Sequence, residues 1–343
     1  MAALRPSPSY GRWARISTFR PSRSVSIVSF HPILDRRLLF VSGKGGAGKT
    51  VTTAALALFA LRRRKRVLIV ELSPYGRLRD LLGGPEPGPE PAEIQPHLEL
   101  VRIEPRRALA DFLQSVLPIR ALRERLLASH SFSILTAAAP GIEEFLALAK
   151  IIEFESKHLG VRRRPRYDLV LVDAPATGHS LPLLATARTL MEMMPIGPIG
   201  RTARDVNRVL ADARRTAVVI VTILEEMAVN EAIEIAAGLL RGGAVAVGPV
   251  IANAFWPDRF TAEEVRWLLS SGLDPSDPLV AAGRYHVEKR RRVEEQLGRL
   301  RAELRVEPVK FPFVVNETLD RPHLRRLVAA LEHATLPAAH ADA

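Results

Sequence analysis

The decapeptide VSGKGGAGKT, residues 41–50, contains the residue types that bind a nucleotide phosphate. Its glycines allow a tight turn whose backbone N–H groups point at phosphate oxygens. Lys49 would bridge the β- and γ-phosphates, and the hydroxyl of Thr50 would hold Mg²⁺. The glycines of this loop are Gly43, Gly45, Gly46 and Gly48.

The loop lies between an apolar run, RLLFVS, and a helical run, VTTAALALFAL, which begins at Val51. A phosphate loop needs this strand, loop and helix context, because the N-terminus of the helix adds its dipole to the backbone N–H groups. A glycine-rich turn that only starts a helix would not require both Lys49 and Thr50. The motif therefore predicts a site for ATP and Mg²⁺, with Ala47 and Val51 also beside the nucleotide.

A second candidate is YDLVLVDAPATGHS, residues 167–180, in which an apolar strand ends at Asp173. A carboxylate at the carboxyl edge of a sheet can order the water shell of Mg²⁺. An Asp there is often only a helix cap, but the Pro, Gly and His that follow favour a switch that senses the γ-phosphate. His179 would either orient this switch or cap the loop.

The chain around these motifs alternates short β-rich runs with helical segments, which predicts an α/β fold with a doubly wound, mostly parallel, eight-stranded sheet. Residues 83–96 are rich in Pro, Gly and Glu and are interpreted as an exposed linker loop. Helices in about 105–165 and 188–215 are expected to form a helical cap subdomain. The predicted strands are LLFVS, RVLIVEL, LELVRI, FSILTAA, YDLVLVD, AVVIVTI, VAVGPVIA and EPVKFPF.

Composition gives the domain organisation. With 343 residues and 47% hydrophobic residues the chain can fill a core, and we place the folded domain at 36–335 and a flexible tail at 336–343. Residues 1–35 are Arg-, Ser- and Pro-rich. They resemble an organelle transit peptide, or they are an unstructured extension or an overlong start. No apolar run reaches the roughly 18 residues of a membrane span, so we expect a cytoplasmic protein.

The chain has no cysteine and a net charge of +12. The first fact excludes disulfides, iron–sulfur clusters and capture of a soft metal or metalloid through sulfur. The second makes phosphate, nucleic acid or an anionic membrane a possible partner. The runs LRRRKR, VRRRPR and EKRRRVEEQ are scattered and lack interleaved aromatics. We therefore interpret them as a general preference for arginine and expect no specific nucleic acid partner.

With both motifs in hand, the chain resembles the ArsA/GET family of P-loop ATPases over about residues 36–335. GKGGAGKT matches the deviant Walker A loop of the family, and VDAPATGHSLPLL resembles its second switch. IEPRRALADF, APGIEEFLALAKI, TILEEMAVNEAIEIAAGL, IANAF and VKFPF follow in the family's order. The resemblance implies a homodimeric ATPase that uses ATP and Mg²⁺.

The resemblance also implies roles for single residues. Lys44 would reach across the homodimer interface to the phosphates bound by the other subunit, where a mobile cation stabilises charge developing on the γ-phosphate. Thr50 and Asp173 would hold the magnesium, and Glu231 matches an acidic position near the interface. The residues implied to face the adenine are Asn253, Pro312 and Phe313.

One position departs from the family, whose first switch has an Asp before Pro that positions the attacking water. Here VELSPYGRLRDLLG places Ser73 before Pro74. A serine can hold a water but supplies no charge, so hydrolysis would be slow or would use another carboxylate. Glu71 and Asp80 are the candidates. Asp80 either matches a second family Asp or is an ordinary exposed helix residue.

The sequence says less about the client, that is, the protein or ion on which such an ATPase would act. The cysteines that bind zinc or arsenite in relatives are absent, which also excludes the iron protein of nitrogenase. The run LMEMMPIGPI, residues 190–199, holds three methionines. It would either receive a hydrophobic helix or pack the cap or dimer interface.

Three hypotheses for function remain. The first is a dimeric ATPase that moves a hydrophobic protein client or acts on a membrane partner. The second is a nucleotide-gated binding module with slow or no hydrolysis. A MinD/ParA-like positioning ATPase fits less well, because DAPATGHS matches the ArsA/GET switch better and LEHATLPAAHADA shows no amphipathic membrane helix.

Overall fold

The computed structural model describes residues 33–334, except 74–75, 117–140, 160–163, 175–179, 194–195, 244, 271 and 315–320. A short 3₁₀ turn, Ile33–Asp35, leads into the first strand. The strands are β1 Leu38–Ser42, β2 Val67–Glu71, β3 Ala92–Gln95, β4 Leu98–Arg102, β5 His158–Leu159, β6 Arg164–Pro165, β7 Leu169–Asp173, β8 Thr216–Ile223, β9 Ala246–Phe255 and β10 Val309–Pro312.

Helices connect most of these strands. None of the described helices is both long enough and apolar enough to cross a membrane. The helices are α1 Lys49–Arg62, α2 Leu78–Leu82, α3 Pro105–Val116, α4 Ile142–Ser156, α5 Ser180–Met193, α6 Gly197–Ala211, α7 Glu226–Gly242, α8 Ala262–Ser270, α9 Pro278–Leu304 and α10 Arg321–Ala334.

The main sheet has eight strands in the order β10-β9-β8-β1-β7-β2-β4-β3. Every neighbouring pair is parallel except β3 with β4. Strands β5 and β6 form a separate antiparallel pair. Because β1 lies in the middle and later strands extend the sheet on both sides of it, the prediction of a doubly wound, mostly parallel α/β sheet is confirmed.

The central strands are apolar without interruption because helices cover both faces of the sheet. All five residues of β1, β2 and β7 are buried. Leu39 faces a cluster that includes Phe59 of α1 and Leu327 of α10. Phe40, the next residue, faces the other cluster, with Phe145 of α4 and others from α6 and α9. The alternation follows from the two-residue period of a strand.

One strand was not predicted and one predicted strand is not described. Seven of the predicted runs form strands of the main sheet, whereas FSILTAA, residues 132–138, lies outside the described residues. The eighth strand is β3, inside the stretch interpreted as an exposed linker, so that interpretation is wrong for Ala92–Gln95. β3 pairs with β4 through a two-residue turn at Pro96 and His97. An edge strand pairs on one side only and needs little apolar sequence.

The described helices of the two predicted cap segments lie against the sheet. Phe145 and Ile151 of α4 and Val206 of α6 share one buried cluster with Val170 of β7 and Ile220 of β8. Glu155, near the end of α4, pairs with arginines at the start of β1 and β8. The division of the chain into a sheet domain and a cap stays a prediction.

Candidate nucleotide site

The fold brings the two sequence motifs to one edge of the sheet. The glycine loop follows β1, and Asp173 ends the neighbouring parallel strand β7, with Val41 of β1 as its register partner. Carboxyl ends of parallel strands meet at the same edge, which is where ligands bind in folds of this type. Gly45 and Gly46 are exposed in the loop, Ala47 is buried, and Val51 is half-buried in the first turn of α1.

Two threonine hydroxyls donate to the carboxylate of Asp173. Thr50 Oγ1 lies 2.8 Å from Oδ2, and Thr53 Oγ1 lies 3.2 Å from Oδ1. Asp173 is only 4% exposed. Burial raises the pKa of Asp173 to about 6, against the opposing effects of the two hydroxyls and the charge of Lys49. The two threonine hydroxyls, which are neutral donors, therefore hold the carboxylate of Asp173 against α1. The carboxylate stays mostly ionised at pH 7.

The ammonium of Lys49 lies inside the loop. Its Nζ donates to the carbonyl oxygens of Gly43, at 3.0 Å, and Lys44, at 3.2 Å. Burial lowers the pKa of Lys49, while the charges of Asp173 and Glu231 act in the opposite direction. Glu231, on α7, is thus close enough to act on this cation.

Asn253 of β9 closes the other side of the loop. Its Nδ2 donates to the carbonyl oxygen of Ala47 over 2.9 Å. Gly48 follows directly with φ +95°, and a Cβ there would lie 2.0 Å from the same Nδ2. Only glycine accommodates both that backbone conformation and that approach.

The residues implied to face the adenine lie at the ends of β9 and β10. Phe313 donates its backbone N–H to the carbonyl oxygen of Phe255 over 2.9 Å. Its ring centroid lies 4.7 Å from that of Trp256, and the side chain is 37% exposed. Pro312 is exposed beside it. Asn253, which bonds to Ala47, is the residue of this group that contacts the glycine loop.

The first switch follows β2, where Ser73 is half-buried. Glu71 is fully buried, and its Oε2 accepts from Nη2 of Arg102 at 2.9 Å and from Nε at 3.0 Å. Its other oxygen accepts the backbone N–H of Leu78 at 3.4 Å. Asp80 is exposed on α2, with Nη2 of Arg79 at 3.5 Å. Of the two candidate carboxylates, one is thus committed to a buried ion pair and the other faces solvent.

The remaining predicted residues are less constrained. Lys44 is half-buried, and within the described ranges no residue accepts a hydrogen bond from its ammonium. His179 lies outside the described residues. In the methionine-rich run, Leu190 is buried, whereas Met193 and Ile196 are 67% and 88% exposed.

The donors at this site fit a magnesium ion shared with phosphate. Among the described residues, no group of three or more His, Asp and Glu side chains could hold a metal alone. Mg²⁺ keeps several waters and is bound through one or two carboxylates together with substrate phosphates. The adjacent hard oxygens of Thr50 and Asp173 match that donor set.

Two contacts at the site were missed from the sequence. Thr53 is the second donor to Asp173, and its signal was present, because residues three apart share a helix face and Thr50 is three residues earlier. Arg102, the partner of Glu71, had no local signal, since the two residues meet only through the pairing of β2 with β4.

The sheet order, the glycine loop after β1 and the aspartate at the end of β7 define a P-loop nucleotide-binding fold. The comparisons agree with this class. The family model for anion-transporting ATPases (ArsA) matches residues 36–200. The match spans 165 of the 343 residues and supports an ArsA/GET family ATPase.

Similarity to one curated relative covers much more of the chain than the family match does, and two others match less than half of the chain. The ATPase BagA of Mycobacterium tuberculosis is 27% identical over 305 residues, which is 86% of this chain and 82% of that protein. The ATPase GET3 of Kluyveromyces lactis is 30% identical over 46% of this chain and 47% of its own length. An ATPase ASNA1 homolog of Leishmania major is 32% identical over 44% of each chain.

Proposed function

We propose that this protein binds ATP with Mg²⁺ at the glycine loop, hydrolyses it as a homodimer, and couples nucleotide-driven closure of the dimer and its cap to a client or membrane partner. The observation that carries the proposal is the pair of hydrogen bonds from Thr50 and Thr53 to Asp173, beside the loop that contains Lys49. The match of residues 36–200 to the family model for anion-transporting ATPases supports it.

The chain's own residues divide the work of binding. The backbone N–H groups of the loop and the cation of Lys49 hold the phosphates. Thr50 and Asp173 hold the magnesium, Asp173 through water, and Asn253 with Phe313 and Pro312 faces the base. Bound magnesium neutralises charge on the phosphate oxygens.

The homodimer in this proposal rests on Lys44. Its ammonium is not engaged by the described residues of its own subunit, and a long cationic side chain on a loop at the sheet edge can extend to a second copy. In the proposal it contacts the phosphates bound by the partner subunit and stabilises charge that develops on the γ-phosphate. The family resemblance supports this assignment.

A slow, nucleotide-gated binding module is the second candidate, and the first switch favours it. Ser73 supplies no charge to the attacking water. Glu71 is bonded to Arg102 and Leu78, and Asp80 is exposed. No described carboxylate of this switch is therefore a free base within the loop, and ATP would select a conformation without rapid turnover.

Phosphate release from ATP by the purified full-length chain separates the two candidates. The matched control is Lys49→Ala, which removes the loop cation and keeps the fold. Turnover well above the control supports the ATPase. ATP binding without turnover above the control supports the gated module. If the chain shows no ATP binding and no turnover, both candidates are wrong.

The dimer is tested by light scattering after size exclusion with a non-hydrolysable ATP analogue. With the analogue, the wild type should shift from the mass of one chain to that of two. If it is already a dimer, only the dimer should bind the analogue. Lys44→Ala should weaken the analogue-dependent dimer while each subunit still binds nucleotide. A monomer at every nucleotide concentration would refute the role of Lys44.

A further inference from the structure

Basic runs precede four strands that are neighbours in the sheet. In sequence they look scattered, but the strand order β8-β1-β7-β2 places their ends side by side at the amino edge. The interpretation that the basic runs are scattered is therefore wrong for this edge of the sheet. The runs are Arg36–Arg37 before β1, 62–66 before β2, Arg164 and Arg166 before β7, and Arg214–Arg215 before β8.

Backbone hydrogen bonds connect these runs directly. The carbonyl oxygen of Arg215 accepts from Arg37 N at 3.0 Å, and that of Arg37 accepts from Val170 N at 2.7 Å. The carbonyl oxygen of Arg66 accepts from Asp168 N at 2.8 Å. The starts of the four strands thus form one continuous row.

The inner arginines of the row are paired. Arg37 and Arg215 share the buried carboxylate of Glu155, at 2.8 and 2.5 Å. Arg66 makes a two-pronged pair with Asp168, at 2.9 and 3.0 Å. These pairs explain why arginine stands at the start of β1, β8 and β2, but they do not use the outer cations.

The outer arginines of the row are solvent-exposed. Arg64, Arg164 and Arg214 form no ion pair with any residue in the described ranges. A helix C-terminus attracts cations through its dipole, and α1 ends at Arg62. That effect accounts for a cation in the last turn and does not require exposed arginines on three separate connections.

We propose that this amino edge binds the anionic headgroups of a membrane surface. We name the exposed residues Arg64, Arg164 and Arg214 the basic edge. Clustered arginines on a surface attract anionic lipid over a Debye length. The edge lies at the opposite end of the strands from the glycine loop, so lipid and nucleotide can bind together.

The position of the exposed aromatic residues favours lipid over nucleic acid. The exposed aromatic residues Trp267 and Tyr285 lie on α8 and α9, away from the basic edge, so the edge lacks the stacking platform that single strands use.

The test is co-sedimentation of the full-length chain with vesicles of phosphatidylcholine, with and without phosphatidylglycerol. The variant is Arg64→Gln with Arg164→Gln and Arg214→Gln. The control removes the same charge elsewhere, with Arg259→Gln, Arg266→Gln and Arg292→Gln, which are exposed and follow β9. ATP turnover and thermal stability of both are measured alongside.

We expect binding only to the anionic vesicles and loss of it in high salt. Each removed charge should weaken binding about fivefold, on the order of a hundredfold for the basic-edge variant at low salt. The control should bind far more tightly than that variant. Equal binding by variant and control, equal binding to both vesicles, or tighter binding to duplex DNA than to anionic vesicles would overturn the proposal.

Discussion

Thr50 and Asp173 are 123 positions apart in the chain and are joined by a hydrogen bond of 2.8 Å. The bond links the first turn of α1 to the end of β7, so the phosphate loop and the candidate second switch share one contact. A ligand that moves either side chain toward a phosphate would therefore also change the contact made by the other element, α1 or β7. We expect nucleotide binding to act on both elements through this contact.

Asp173→Asn should stabilise the protein when nucleotide and magnesium are absent. Burial raises the pKa of Asp173 from 3.8 to about 6, so the folded state binds this proton more tightly than the unfolded state. Stability therefore falls as pH rises from about 4 to 6 and stays lower above that. Asparagine removes this penalty, on the order of 1 kcal/mol at pH 7 after the threonine hydrogen bonds are counted.

The check is thermal unfolding of both proteins from pH 4 to 8. The advantage of Asp173→Asn should grow between pH 4 and 6 and then level off, and added Mg²⁺ with ATP should stabilise only the wild type strongly. A difference in stability that does not change with pH would contradict the raised pKa.

Gly48→Ala should destabilise the chain more than Gly46→Ala. Both glycines have positive φ, but a Cβ at Gly48 would lie 2.0 Å from Asn253 Nδ2, whereas one at Gly46 meets no atom within 4 Å. Backbone strain alone costs about 1 kcal/mol, and the clash adds to it at Gly48 only. Urea unfolding without nucleotide measures both, and Asn253→Ala should recover part of the loss in Gly48→Ala. Equal losses would argue against the close approach.

Glu71→Gln should cost about 2 to 4 kcal/mol, because it leaves the partly buried guanidinium of Arg102 with only exposed Glu86 as a charged partner. Glu86→Gln, which removes that exposed partner, should cost less than about 1 kcal/mol. The double variant Glu71→Gln with Arg102→Met should be more stable than Glu71→Gln alone. Chemical denaturation gives all three values, and a double variant that is the least stable would speak against an uncompensated charge.

Ser73→Asp should raise ATP turnover by about tenfold or more. A carboxylate at this position can accept a hydrogen bond from the attacking water, which a serine hydroxyl does far more weakly. Ser73→Asn, which matches the size without the charge, is the control and should change turnover little. If aspartate and asparagine act alike, the low charge at Ser73 is not what limits hydrolysis.

The sequence predicts best what local chemistry decides. The central strands were confirmed because a strand buried on both faces is apolar at every position. β3 was missed because Ala92–Gln95 is held by the edge of β4 rather than by its own apolar residues. The nearness of Thr50 to Asp173 follows from the rule that strand ends share an edge.

Contacts set by the order of strands were beyond the sequence. The bond from Asn253 to Ala47 spans 206 positions and depends on the path of β9 beyond β8. The ion pair between Glu71 and Arg102 forms only because β2 lies beside β4. The same applies to the arginines of the amino edge, since runs far apart in the chain become neighbours only once the order β8-β1-β7-β2 is known.

Isothermal titration of the purified chain with ATP and Mg²⁺ measures nucleotide binding at the glycine loop. We expect saturable binding that requires magnesium, about one nucleotide per chain, and its loss in Lys49→Ala while that variant stays folded. Binding of equal affinity in wild type and Lys49→Ala, or no binding to the folded wild type, would contradict the assignment of the glycine loop as the nucleotide site.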